Sequence, residues 1–303
     1  MKNVIIGANS YLARNFIYKL KHVYNEDCIL YGRSDVQIDN ESNYTRVNML
    51  DRNEVSRLDL DCDNVFMFVG KTGSANGFDN YEEYINVNQK ALLNLLDQMR
   101  KQNSHAKLIF LSTRLVYSGK DEPQKEDACK EFKTVYSINK FACEQYIKQF
   151  NNVFGIDYLI LRLCIPYGTL IDGANSYGTC DFMLKRASNN ECINIYGDGS
   201  QRRTLTYIGD FCDILYQASQ NKQCKNDVYN IGGENYSLYE MASVIAKKYG
   251  VNINKIEFPD IEYKIESGGT VFNSDKLDDL IGDLHKTKFV DWINEVNAIS
   301  KKV

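Results

Sequence analysis

Lys2-Asn3-Val4-Ile5-Ile6-Gly7-Ala8-Asn9-Ser10-Tyr11-Leu12-Ala13 is the stretch that decides how this chain folds. Asn3 to Ile6 is short, apolar and β-branched, the composition of a buried strand. Gly7 closes it with a residue free to make a tight turn. A helical stripe of Leu12, Phe16, Ile17 and Leu20 follows. Strand, glycine turn and helix in this order seat a pyrophosphate on a helix N-terminus. The glycine spacing is incomplete, because Ser10 stands where a second glycine would let phosphates approach the backbone. Ala13 is small enough for close helix–strand packing. Gly7, Asn9, Ser10, Tyr11 and Leu12 are therefore candidate cofactor contacts.

Moving outward, a second strand, Cys28 to Tyr31, runs into Gly32-Arg33-Ser34. A site that reads a free ribose 2′-hydroxyl carries an acidic residue here, yet no carboxylate comes before Asp35. Arg33 and Ser34 suit a 2′-phosphate instead, which favours NADP (as NADPH) over NAD. A third apolar run, Lys107 to Thr113, ends in hydroxyl residues. Beyond it lies Val135-Tyr136-Ser137-Ile138-Asn139-Lys140, where a tyrosine four residues before a lysine shares one face of a predicted helix. The ammonium is expected to draw the phenol's pKa down from about 10, so that Tyr136 exchanges a proton with a hydroxyl or carbonyl. Thr113, 23 residues before Tyr136, offers a hydroxyl to hold the same oxygen.

At 303 residues the chain can bury a large core in two lobes. Strands and helices alternate to about residue 165, which argues a parallel doubly wound sheet. Tyr81 to Asn103 reads as one long amphipathic helix with Leu92, Leu95, Leu96 and Met99 inward. Residues 171–190 begin rich in glycine and asparagine and then turn helical, and a smaller lobe follows from Tyr236. A net charge of −4 with well-mixed charges argues against nucleic acid or an anionic membrane as partner. The nine cysteines contain no Cys-x-x-Cys pair, and His22, His105 and His285 lack ligand spacing. The expectation is a reduced, cytoplasmic, metal-free protein. No apolar run approaches the ~20 residues of a membrane span, and Asn9 and Arg14 interrupt the first residues too soon for a signal peptide.

Further segments give the chain a resemblance. Ser112-Thr113-Arg114-Leu115-Val116-Tyr117, Tyr136 with Lys140, Asn86-Val87-Asn88, Leu161 to Gly168, Ile195 to Arg203 and Val228 to Gly233 resemble extended short-chain dehydrogenases/reductases. The subgroup is the NAD(P)-dependent epimerase/dehydratase family, which modifies nucleotide sugars. The resemblance implies a Rossmann-type doubly wound parallel sheet with a smaller C-terminal α/β substrate lobe. Residues 1–165 would bind NAD(P), with re-entry at about 204–232, and 166–303 would form the nucleotide-sugar lobe. It implies Thr113, Tyr136 and Lys140 as the catalytic set. Asn48, Met49, Val69, Gly70, Asn88 and Ile165 join Gly7 to Leu12, Arg33, Ser34, Tyr136 and Lys140 around the cofactor. Lys71, Thr72, Thr113, Asn175, Tyr196 and Arg203 are implied around the nucleotide-diphosphate sugar, with Arg203 on the diphosphate. A homodimer through the Tyr136 helix and the 81–103 helix is also implied.

Departures from the family pattern bear on the reaction. Dehydratases of this kind carry Asp-Glu where Arg114 and Leu115 stand, so elimination of water is disfavoured. The Gly70-Lys71-Thr72-Gly73 loop is similar to that of GDP-fucose-synthase-like epimerase-reductases, but their cysteine at Leu115 and their histidine in the 170s are absent. Ile165 is apolar, as in dTDP-rhamnose-type reductases, where 4-epimerases hold an asparagine. The resemblance thus implies a 4-ketoreductase of a (6-deoxy) 4-keto sugar nucleotide, with Tyr136 as general acid. An NAD-dependent nucleotide-sugar 4-epimerase is the second reading, and a non-catalytic cofactor-sensing or binding module the third.

Overall fold

Short apolar runs with almost no polar alternation make strands whose two faces must both be covered, and the larger sheet is built from seven of them. They are β1 (Asn3–Ile6), β2 (Cys28–Gly32), β3 (Tyr44–Arg46), β4 (Asn64–Met67), β5 (Lys107–Thr113), β6 (Tyr158–Leu163) and β7 (Asp227–Asn230). The computed structural model describes residues 1–174 and 178–296. All seven strands run parallel, in the order β7-β6-β5-β4-β1-β2-β3. Ile5 of β1 registers with Leu30 on one side and Phe66 on the other. The strand order reverses between β1 and β4, and the crevice at their carboxyl ends is where such sheets bind ligands.

Strand alternation sends Val4 and Ile6 to one face and Ile5 to the other. The first face packs on helices α2 (Ala91–Lys101) and α3 (Val135–Phe154), through Leu92, Leu95, Leu96, Met99, Cys143 and Ile147. The second packs on α1 (Tyr11–His22) and α4 (Ile208–Gln220), through Phe16, Ile17, Leu20, Phe211 and Leu215. α3 starts where the Thr134 hydroxyl accepts the Ser137 amide at 3.0 Å, and stops at Gly155, whose φ of +71° suits a left-handed cap. The helix expected over 81–103 is not uniform. A first turn at Tyr81–Tyr84 passes into a π-turn at Ile85–Lys90 before α2 begins. π-turns are bulges inside an α-helix.

The smaller lobe holds a five-stranded sheet of Lys120–Gln124, Ile165–Tyr167, Arg202–Tyr207, Glu234–Ser237 and Thr270–Phe272. Ile193–Tyr196 and Ile253–Ile256 make a separate parallel pair. Its core gathers Ile165, Tyr167, Met183, Leu184, Leu205, Met241 and Phe289. α4 and β7 carry the chain back to the larger sheet. No helix among the described residues is long and apolar enough to cross a membrane.

Candidate functional site

The turn after β1 must be glycine. Gly7 has φ +91°, and a Cβ there would lie 2.9 Å from the Val69 amide nitrogen. Its own amide donates to the Tyr31 carbonyl at 2.8 Å, which fixes the turn against β2. Ser10 caps α1 without a side-chain cap bond, and its buried hydroxyl has no hydrogen-bond partner. Asn9 is occupied structurally: its amide donates to the Val36 carbonyl at 2.9 Å and accepts from the Ile38 amide at 3.0 Å. This folds the loop after β2 beside the glycine turn. Around these residues lies a cleft of about 340 Å³, also lined by Arg33, Ser34, Asn48, Met49, Val69, Gly70 and Lys71. Glu83 is the one carboxylate among its lining residues, and it is ion-paired with Lys71.

A larger cleft of about 580 Å³ continues from the first, sharing Asn9, Ser10, Val69 and Gly70. It brings together Tyr11, Leu12, Thr72, Thr113, Tyr136, Lys140 and Ile165, with Arg114 among them. No carboxylate is among its described lining residues. Thr113 ends β5, where its hydroxyl accepts the Leu115 amide at 3.3 Å. Tyr136 and Lys140 lie one turn apart on α3, 8% and 7% exposed.

The expected direction of the Tyr136 shift is reversed. Burial drives the phenol up to about 12, against a lowering by its hydrogen bond with Thr113. Burial likewise drives the Lys140 ammonium down to about 8, and its Nζ sits 4.2 Å from the centre of the Phe110 ring. The four-residue spacing puts both groups on one cleft, but desolvation is the largest influence on each. Arg114, rather than Lys140, is the cation that lowers the phenol.

Beneath this pair is a buried ionic network that sequence reasoning missed. Glu144, fully buried one turn beyond Lys140, accepts from Ser112 Oγ at 2.5 Å and from Arg162 Nε and Nη2 at 3.0 and 2.6 Å. Arg162 Nη1 donates to the Tyr117 hydroxyl at 2.6 Å, which donates to Asn230 Oδ1 at 2.7 Å. The end of β5, α3, β6 and β7 are thereby tied at one point, with Thr113 next to Ser112. The available signal was the (i, i+4, i+8) series Tyr136, Lys140, Glu144 on one face.

Other expected site residues are placed differently. Asn88, on the π-turn, lines neither cleft; its amide clamps the Lys71 backbone at 2.9 and 3.1 Å. Lys71 faces the smaller cleft and pairs with Glu83, so its charge is already met. Tyr196 is 38% exposed on the outer strand pair and packs against Phe258. Arg203 is 2% exposed, paired with Glu266 at 2.8 Å and hydrogen-bonded to the Arg202 and Gly268 carbonyls. It is absent from the described lining of both clefts, because a carboxylate 63 residues further along captures it. Asn175 lies outside the described residues. Gly178 and Thr179, at the start of the helix Thr179–Ser188, line the larger cleft without having been expected there.

The profile of the NAD dependent epimerase/dehydratase family matches residues 4–232. A Methanocaldococcus jannaschii protein is 30% identical over 167 residues, and the match spans about half of each chain (54% and 53%). CDP-paratose 2-epimerase of Salmonella typhi is 24% identical over 276 residues, 82% of this chain and 78% of its own. Among solved structures, UDP-glucuronic acid 4-epimerase from Bacillus cereus, in complex with UDP-glucuronic acid and NAD, superposes with a TM-score of 0.85 at 21% identity, covering 97% and 96% of the two chains. UDP-glucose 4-epimerase from Thermotoga maritima gives 0.83 at 20%, again over 97% and 96%.

Proposed function

The chain belongs to the NAD dependent epimerase/dehydratase family, and on that premise we propose that it moves hydride at C4 of a nucleoside diphosphate sugar, as a 4-ketoreductase drawing on NADPH. The observation that carries this reading is the convergence of Thr113, Tyr136 and Lys140 on one cleft continuous with the glycine turn. The residues present fit a nicotinamide dinucleotide. Ser10 holds a buried, unpartnered hydroxyl at the N-terminus of α1, ready to donate to a pyrophosphate. Gly7 keeps the turn free of a Cβ, and Arg33 with Ser34 offers donors to a 2′-phosphate in a cleft whose one lining carboxylate, Glu83, is already paired with Lys71. When bound, the dinucleotide supplies the hydride.

The chain's own groups handle the proton. Thr113 orients the C4 oxygen. Tyr136, with its pKa pushed up to about 12, stays protonated at neutral pH, as a general acid must. Lys140, near 8, stands one turn along with a proton that exchanges close to neutral pH. A 4-epimerase using NAD is the second reading, favoured by the epimerase names of the relatives. The same three residues would then take the proton from O4 and return it.

The test begins with any nucleotide retained by the purified protein, followed by titration with NADP⁺ and NAD⁺. An empty protein that prefers NADPH, and loses that preference on Arg33→Ala, supports the ketoreductase; NAD released only on denaturation supports the epimerase. Tyr136→Phe is expected to cut turnover about 10²–10⁴-fold with cofactor affinity nearly unchanged. Wild-type turnover in that variant would overturn both readings.

A further inference from the structure

Arg114 follows Thr113 directly and lines the larger cleft. Among the described residues it makes no ion pair, and its guanidinium reaches only two hydroxyls, Ser267 Oγ and Thr270 Oγ1, both at 3.4 Å. The neighbouring guanidinium, Arg203, is already neutralised by Glu266. Burial, and then the charge of Arg203, lower the Arg114 pKa to about 10 against weaker raising effects of Cys164, Glu266 and Tyr136, which still leaves it a cation at neutral pH. Arg114 lines the same cleft as Tyr136 and directly follows Thr113, whose hydroxyl is to hold the C4 oxygen, and Arg114 and Tyr136 each act on the other's ionisation. The segment above it is pressed close. A Cβ on Gly119 would come within 1.2 Å of the Ser267 carbonyl oxygen.

A guanidinium with no direct ion pair, in a cleft that no described carboxylate lines, is open to an anion, and its forked donors match a carboxylate. In a sugar whose C4 oxygen meets Tyr136, the diphosphate leaves C1 from the far side of the ring. An anion beside the phenol therefore belongs to the ring itself. We propose that Arg114 is the receptor for a carboxylate carried by the sugar, so that the chain acts on acidic nucleoside diphosphate sugars. This rests on the nucleotide-sugar reading above and replaces the 6-deoxy sugar that the resemblance implied.

Calorimetric titration of the NADP⁺-loaded protein with UDP, UDP-glucose and UDP-glucuronate tests it. Wild type is expected to bind UDP-glucuronate at least about 10-fold more tightly than UDP-glucose. Arg114→Gln should abolish that preference while UDP affinity stays within about twofold, and cofactor affinity and thermal unfolding serve as checks of folding. Equal wild-type binding of the two sugars overturns the proposal. So does an Arg114→Gln variant that weakens UDP and both sugars alike, which would place the guanidinium on the diphosphate. Failure of the wild type to bind any of the three, or CDP, GDP or dTDP, with NADP⁺ still bound, overturns the nucleotide-sugar reading along with it.

Discussion

Glu144→Leu is the substitution whose effect the structure specifies most fully. Glu144 is 0% exposed and Arg162 2% exposed, and their two hydrogen bonds at 3.0 and 2.6 Å form a bidentate pair. Removing the carboxylate leaves the guanidinium charged and desolvated, a loss of about 3–5 kcal/mol. Ser112 also loses its acceptor. At about 2.1 cal/mol/K per residue, unfolding of a 303-residue chain carries roughly 0.64 kcal/mol/K of entropy, so Tm should fall by about 5–8 °C. Because Ser112 adjoins Thr113 and Glu144 shares a helix face with Tyr136, the same change loosens the spacing between hydroxyl and phenol. A misplacement of about 1 Å costs on the order of 10²-fold in rate, so turnover should drop even well below the transition. The assay is differential scanning calorimetry alongside turnover at 20–25 °C, with Arg162→Leu and the double variant closing the cycle. The double variant should regain most of the stability, since a well-packed apolar pair replaces a buried ion pair at little cost. A single variant that melts within 1 °C of wild type and turns over normally would refute the reasoning.

Ser10→Ala should leave thermal stability unchanged or slightly raised, since an unpartnered buried hydroxyl disappears, while weakening the dinucleotide about 10-fold; equal affinity by fluorescence titration would remove Ser10 from the cofactor site. Lys140 is a base whose folded pKa, about 8, lies below its ordinary 10.5. The unfolded chain therefore binds more protons between those values, and stability rises with pH across that window. Lys140→Met should remove roughly 3 kcal/mol of that rise, and parallel denaturation curves for the two proteins from pH 7.5 to 10.5 would show the shift to be absent. Arg203→Ala should lower Tm by leaving Glu266 unpaired in the closed wall of the smaller lobe, with little change in substrate KM; a raised KM at unchanged Tm would restore its expected place on the diphosphate.

What the sequence made legible was local. Gly7, Ser10 and the strand–turn–helix order follow from residues within a dozen positions, and Tyr136 with Lys140 from a single helical turn. What it hid was decided across the chain. Arg203 read as a ligand residue because nothing near it in sequence announces Glu266. Arg114 read only as a missing acid, since the hydroxyls it reaches, Ser267 and Thr270, come from a segment 153 and 156 residues further on. The direction of the Tyr136 shift was lost for the same reason: spacing along a helix reports neighbours, whereas burial depends on segments far away in the chain. The π-turn at Ile85–Lys90, which turns Asn88 onto the Lys71 backbone, has no residue code at all.

The charge pattern of the larger cleft has a consequence for ligand capture. The molecule as a whole is an anion of net charge −4, yet the cleft presents Arg114 and Lys140 with no lining carboxylate. At a centre-to-centre distance of roughly 25 Å, the body repels a doubly charged diphosphate by about 1.3 kcal/mol in pure water. At physiological ionic strength the Debye length is about 8 Å, and that distant repulsion is screened almost entirely. Contacts within the mouth of the cleft lie inside one Debye length and keep much of their attraction. Salt therefore removes the barrier before it removes the well, and encounter with an anionic ligand should quicken as ionic strength rises from near zero, the reverse of steering onto a uniformly basic surface.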